Sequence, residues 1–321
     1  MLNYLFQRLL LAIPTLLGVS VLVFVAIRLV PGDAVTAMLG TEAGLLTETQ
    51  RASLEAYFGL DKSPVQQYIS WLGNVLHGDL GYSVRLGQPV LELILDRFPV
   101  TLELALLSTL VAVAAGIPLG VVAAVYRDTP ADFFGRLFAL IGLAAPNFLV
   151  ATVLIYVLSV YFGYLPNSGN YVGPTKAPFQ NLEQMMLPAL TLGLAFSASV
   201  MRTTRSAMLE VLGQDYVRTA RAKGLRDRVV IGRHALRNAL IPVVTLTGIE
   251  LGYLLGGTVI IEQVFALPGL GRLTLNAIAQ RDYALIQGAT LFIACVVVLV
   301  NLLVDLGYAA IDPRISYGDD R

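Results

Sequence analysis

Long apolar stretches separated by short charged ones set the pattern of this chain. Each Asp, Glu, Lys or Arg at the centre of a membrane helix costs about 2.5 to 3.5 kcal/mol on insertion scales, so stretches free of them mark candidate spans. Six emerge: Leu9–Ile27, Leu104–Tyr126, Leu137 to about Tyr164, Gln184–Met201, about Asn238 to Ile261 interrupted by Glu250, and Tyr283–Val304. All are near or above the roughly 20 residues that cross the hydrocarbon core. The third is long enough to require tilt or a kink, with Pro146 as the candidate position. Arg8 precedes the first run as it would in a secretory signal, but no small-residue cleavage pattern follows directly, and the run reads as a true span.

Composition turns this pattern into a class. With 56% hydrophobic residues, 14% charged residues and a mean hydropathy of +0.71, the chain is too apolar for a soluble protein. The expected fold is an all-α polytopic membrane protein with six transmembrane helices and lipid around it. A formal net charge of zero, with the bases gathered in one segment, argues against nucleic acid as a partner. The single cysteine, Cys295, rules out an intrachain disulfide framework and a Cys-based metal site.

Charge also orients the spans. Between the fourth and fifth, Arg202–Arg237 holds nine basic residues (Arg202, Arg205, Arg218, Arg221, Lys223, Arg226, Arg228, Arg233, Arg237) against three acidic ones (Glu210, Asp215, Asp227), so the segment belongs in the cytoplasm. Both termini then fall inside, as do Arg8, Arg127 and Arg136. The chain divides into a first helix (1–30), an outward insertion (31–99), a core (100–311) containing the loop 202–237, and a cytoplasmic tail (312–321).

The insertion reads as folded. Thr47 with Gln50 forms a capping box ahead of a short helix stopped by Gly59, and Ser63-Pro64 opens a second helix ended by Gly78. Val90, Leu91, Ile94, Leu95 and Phe98 then form an apolar stripe, expected along the outer membrane surface. The insertion is a cap over the bundle, a landing surface for an external protein, or both.

In the cytoplasmic loop, Asp215 is placed to cap a short helix starting at Tyr216. Arg221 and Lys223 suit its negative end, and Gly224 supplies a left-handed stop. A second helix from about Arg228 leads to Pro242. Such a helix-turn-helix can carry a push from a soluble partner to two spans at once; the alternative is a merely solvated loop.

Inside the membrane, Gly248, Gly252 and Gly256 lie at i, i+4, i+8, and Gly116 with Gly120 makes a second small-residue pair. Both suit close helix packing, including packing against a partner subunit, more than lining of a pathway. Glu250 lies roughly opposite the glycine stripe and is a pathway or gate candidate, because an ionisable residue at that depth carries a function by default. Asn147 is a weaker candidate. Glu262, near the outer end of a span, belongs to an outer gate or is simply solvated at the interface.

Several ordered motifs now carry a resemblance. Thr219-Ala220-Arg221-Ala222-Lys223-Gly224, followed by Asn238-Ala239-Leu240-Ile241-Pro242, resembles the cytoplasmic coupling loop of ATP-binding-cassette importer permeases, within the dipeptide, oligopeptide and nickel branch. The resemblance extends through RLVPGD (28–33), FGLDKSP (58–64), GDLGYS (78–83), LPALTLG (187–193), GGTVIIEQVFALPGLG (256–271), RDYALIQG (281–288) and DPRISY (312–317). Arg218 stands where the general importer loop has an acidic residue, as in the narrower branch. The resemblance implies a bacterial inner-membrane subunit that couples through Asp215, Tyr216, Arg218, Thr219, Ala220, Arg221, Ala222, Lys223 and Gly224. It further implies a second homologous permease, two ATPase subunits that bind ATP and Mg, and an extracytoplasmic binding protein that sets most of the selectivity. Peptide is the expected cargo, with nickel chelates or glutathione as alternatives.

The chain's own residues agree with a subunit that is not itself an ATPase. A P-loop needs Gly-Lys, and Lys62, Lys176 and Lys223 follow Asp, Thr and Ala. No cofactor or metal site is expected in this chain. An ATP-independent carrier would have no need of the basic helix-turn-helix. An intramembrane enzyme would need a nucleophile and base, whereas His77 and His234 both fall outside the spans.

Overall fold

The structure is a computed structural model that describes residues 2–29, 47–57, 61–164 and 171–311. Gly59, most of RLVPGD, the first half of FGLDKSP, and DPRISY with the rest of the 312–321 tail lie outside the described residues. The long helices are α1 (Leu2–Leu29), α4 (Val90–Val125), α7 (Pro178–Leu212), α9 (Leu236–Gly257) and α12 (Tyr283–Ile311). The shorter ones are α2 (Glu48–Tyr57), α3 (Pro64–Leu76), α5 (Pro130–Ala144), α6 (Asn147–Phe162), α8 (Asp215–Ala222), α10 (Val259–Val264) and α11 (Leu270–Gln280). Among the described residues, five helical stretches are long and apolar enough to cross a membrane, or six if the bent pair α5 and α6 counts as one. The chain is therefore an all-α polytopic membrane protein.

Two compact units divide it. The first joins Leu2–Thr101 with Pro268–Val298. Within it, the Thr47 capping box forms, its amide donating to Gln50 Oε1 at 3.0 Å. Ser63 caps α3 with a reciprocal box to Gln66, and Pro64 occupies the first turn. α3 lies on α1 through a Ser20–Tyr68 hydroxyl pair at 2.8 Å, the Phe24 ring edge-on to Tyr68, and Arg28 donating to Gln67 Oε1 at 3.0 Å.

Two small antiparallel strands, β1 (Tyr82–Ser83) and β2 (Gln88–Pro89), follow; at two residues each they carry no hydrophobic alternation from which to predict them. The apolar stripe after them is not a separate surface helix. Val90 and Ile94 are fully buried against Leu270, Ala277, Leu285 and Ala289, and the helix they open runs unbroken to Val125. Burial of that face, about 25 cal/mol per Å² of apolar surface, displaces the expected interfacial position.

The second unit joins Leu102–Leu267 with the chain from Leu299. In it α4 and α7 approach closely at Gly116 and Gly120: a Cβ on either would come within 2.7 Å of Val200 or 2.6 Å of Thr204, respectively. The kink expected at Pro146 is present and amounts to a full break, α5 and α6 meeting at 99° across Ala145-Pro146. Proline disfavours helical φ and ψ in the residue before it, and Ala145 is accordingly extended (φ −79°, ψ 123°), so the helix ends there and a new one starts. The fifth stretch stops at Gly257, and Thr258 separates it from α10.

Candidate functional site

Two places in the second unit gather the candidate residues: the charged segment around α8 and a cavity beside α9.

The charged segment is mostly helical continuation. α7 runs on to Leu212, and one turn at Asp227–Val229 passes through a π-helical stretch, Val230–Ala235, directly into α9. The second helix expected from Arg228 is thus the start of the fifth span, and α8 with its short connections is what remains between them. α8 is anchored by two residues one turn apart, Val217 (0% exposed) and Ala220, which pack on Val230 with help from Val211 and Leu212. Asp215 is the first helical residue and not the cap; Gln214 holds the cap position and gives no side-chain cap bond. As a first-turn carboxylate, Asp215 still complements the helix N-terminus, and it pairs with Arg218.

The other end of α8 closes as a Schellman motif. Gly224 sits at φ +77°, its N–H donates to Arg221 O at 2.9 Å, and Leu225 N–H donates to Ala220 O at 3.4 Å. Thr219 bonds back to Asp215 O at 2.9 Å, and Arg221 pairs with Asp227 at 3.4 Å. Arg218, Thr219, Arg221, Ala222, Lys223 and Gly224 remain exposed. The link to the span is Tyr216, whose hydroxyl accepts from Asn238 Nδ2 at 2.7 Å and donates to His234 O at 3.5 Å. Ala235 and Ala239 pack in turn against Ala124 of α4 and Met208 of α7. Tyr216 and this apolar contact thus join α8 to the start of α9.

One clamp went unread in the sequence. Asp132 of α5, fully buried, accepts from Arg205 of α7 through both carboxylate oxygens, at 2.6 and 2.9 Å, with Arg136 at 3.6 Å. The partners are 73 positions apart, so no local spacing announces the pair; the nearest signal was a carboxylate in the first turn of an otherwise apolar helix.

The cavity, about 400 Å³, lies at the break between α5 and α6 and is walled by α7 and α9. Its lining includes Pro146, Asn147, Phe196, Ser199, Glu250 and Tyr253, so the structure brings Asn147 and Glu250 together. Glu250 has no hydrogen bond or ion pair to any described residue. On another side of α9, a Cβ on Gly248 would come within 2.4 Å of Val304 of α12. Gly252 is buried and Gly256 exposed, so the stripe does not present one uniform packing face.

Glu262 does not join them. It is fully buried in α10, which packs on α6, and it accepts from Thr258 Oγ1 at 3.0 Å, so interfacial solvation is not its state. Glu103 accepts from the Tyr171 hydroxyl at 2.6 Å. Burial first, and then that carboxylate, push the Tyr171 phenol above its ordinary ionisation range.

Comparison with known proteins places these features. Residues 116–317 match the family described as binding-protein-dependent transport system inner membrane component, and residues 1–105 match its N-terminal counterpart. The oligopeptide transport system permease protein AppB of Bacillus subtilis is 43% identical over 98% of this chain and 99% of its own. The dipeptide transport system permease protein DppB of Escherichia coli is 42% identical over 99% of both. A crystal structure of an amino acid ABC transporter with histidines shares the fold at a TM-score of 0.50 and 16% identity, covering 70% of this chain and 94% of that one. The chain belongs to the binding-protein-dependent transport system inner membrane component family and is the multi-pass permease of an ATP-binding-cassette importer, a transport subunit and not the ATPase.

Proposed function

We propose that this permease forms half of a pathway for peptides handed over by an extracytoplasmic binding protein, and that Asp215–Gly224 receives the stroke of the ATPase subunits. A second homologous permease completes the pathway, and two ATPase subunits bind ATP and Mg. Both termini lie in the cytoplasm, 31–99 forms the outward insertion, and α5 with α6 together make the third of six spans. Peptide as cargo is supported by the names of the full-length relatives.

The observation that carries the coupling role is the seating of α8: two buried anchors beneath, an exposed outer face, and one tyrosine tied to the fifth span. A helix so held is exposed to a partner yet cannot move without its spans. Outward opening would follow when the ATPase dimer closes, tilting α7 and α9 from their cytoplasmic ends.

The test is ATP-dependent uptake of a labelled dipeptide by the full complex in liposomes, with and without Gly224→Asp. An aspartate at φ +77° gives up glycine's freedom in the left-handed region and places a carboxylate on the exposed end of α8. Uptake that requires ATP and the binding protein and is lost in the folded variant supports the reading. Equal uptake without ATPase subunits overturns it in favour of an independent carrier, and binding-protein-stimulated ATPase activity without peptide uptake overturns the cargo.

A further inference from the structure

We infer that Glu250 is the subsite for the amino-terminal ammonium of the peptide in transit, an assignment that builds on the peptide-permease reading above. The observation is an imbalance of charge in an open cavity among the helices. Of the described residues lining it, Glu250 is the only one with a formal charge, and no Lys or Arg faces it there. Three other carboxylates of the same unit, all within its helices, are satisfied from within the chain: Asp132 by Arg205 and Arg136, Glu103 by Tyr171, Glu262 by Thr258. Glu250 has no such partner among the described residues.

A carboxylate kept in a low-dielectric bundle without a counter-charge is costly, and a mobile cation relieves the cost each time one passes. The rest of the lining selects which cation. Asn147 and Ser199 offer neutral polar groups suited to a peptide amide, while Phe196 and Leu254 offer apolar wall for side chains of varied shape. A volume of about 400 Å³ falls in the range of small-molecule sites and far exceeds the needs of a bare metal ion. Among the described residues no three His, Cys, Asp or Glu side chains gather to hold a metal. A peptide with a free amino end brings one ammonium, one or more amides and variable side chains, which matches this inventory.

The test uses the whole permease–ATPase complex with the binding protein omitted, so that the binding protein's own selectivity does not enter. Equilibrium binding of labelled alanyl-alanine and of its N-acetylated form is measured with ATP plus vanadate and without nucleotide. In at least one state the free dipeptide binds about tenfold more tightly than the acetylated one, as expected for a hydrogen bond to a charged group. Glu250→Gln abolishes that difference, and Glu250→Asp restores part of it. An unchanged ratio in Glu250→Gln, or no binding of either peptide to the parent complex, overturns the assignment. Uptake by the same preparation with binding protein added keeps the two readings apart: peptide import with no Glu250 effect sinks only the subsite, whereas no import sinks the peptide reading itself.

Discussion

The two ends of α9 are built on opposite principles. Around its start, Ala235 and Ala239 are buried among Ala124 and Met208, and Asn238 is tied to Tyr216; nearby, Asp132 is saturated by arginines. Toward its other end, Glu250 faces an open cavity with no described partner. Closed packing transmits displacement because interiors deform little, while an unsatisfied group in a cavity is held in reserve for something that is not always present. On the proposed reading one helix carries a mechanical end and a cargo end, and substitutions at the two should differ in sign as well as size.

The sharpest way to break the contrast is Asp132→Ala. It strands Arg205 against α5, and removal of one partner of a buried pair costs about 3 to 5 kcal/mol. Thermal unfolding of the purified complex should fall steeply, and Asp132→Ala with Arg205→Ala should recover part of the loss. A single variant as stable as the parent would show the clamp to be ornamental.

Next in size is Gly116→Val. Its side chain would meet Val200 and the backbone of Ser197 inside 3 Å, and overpacking of this kind costs about 1 to 3 kcal/mol. The expected result is a lower melting temperature with assembly retained at low temperature.

Tyr216→Phe probes the link itself. Tyr216 is exposed, so the stability change should be near or below about 1 kcal/mol. The informative readout is the number of ATP molecules hydrolysed per peptide imported, which should rise as the stroke slips.

The smallest stability effect belongs to the cargo end. Glu250→Gln should leave the stability within about 0.5 kcal/mol of the parent, or raise it, because the variant discards an uncompensated charge while altering transport. A marked loss would mean that the carboxylate is a structural partner after all and would erase the distinction between the ends.

Much of this fold is legible in the order of residues. Charge-free runs locate the spans because insertion energetics act residue by residue, and the caps at Thr47 and Ser63 are local hydrogen-bond patterns. Gly224 is readable for the same reason, since a left-handed stop needs only itself. Pro146 announces a break but not an angle of 99°, which is set by what α5 and α6 each pack against. Glu250 and Asn147 can each be suspected from polarity and depth, yet their meeting in one cavity depends on four helices converging. Asp132 with Arg205, and Val90 with Leu285, belong to the same class of long-range partnership, which leaves no periodic trace.

The most direct test of the coupling end is a cross-link. With Cys295 replaced by Ser, a single cysteine is placed at exposed Thr219 or Ala222, and at buried Val217 as control, in the complex carrying a photoactivatable thiol reagent. The exposed positions should capture an ATPase subunit, with a yield that changes when ATP and vanadate are added, while position 217 should not. Failure of both exposed positions to reach an ATPase subunit in a complex that still imports its cargo would contradict the entry of force at α8.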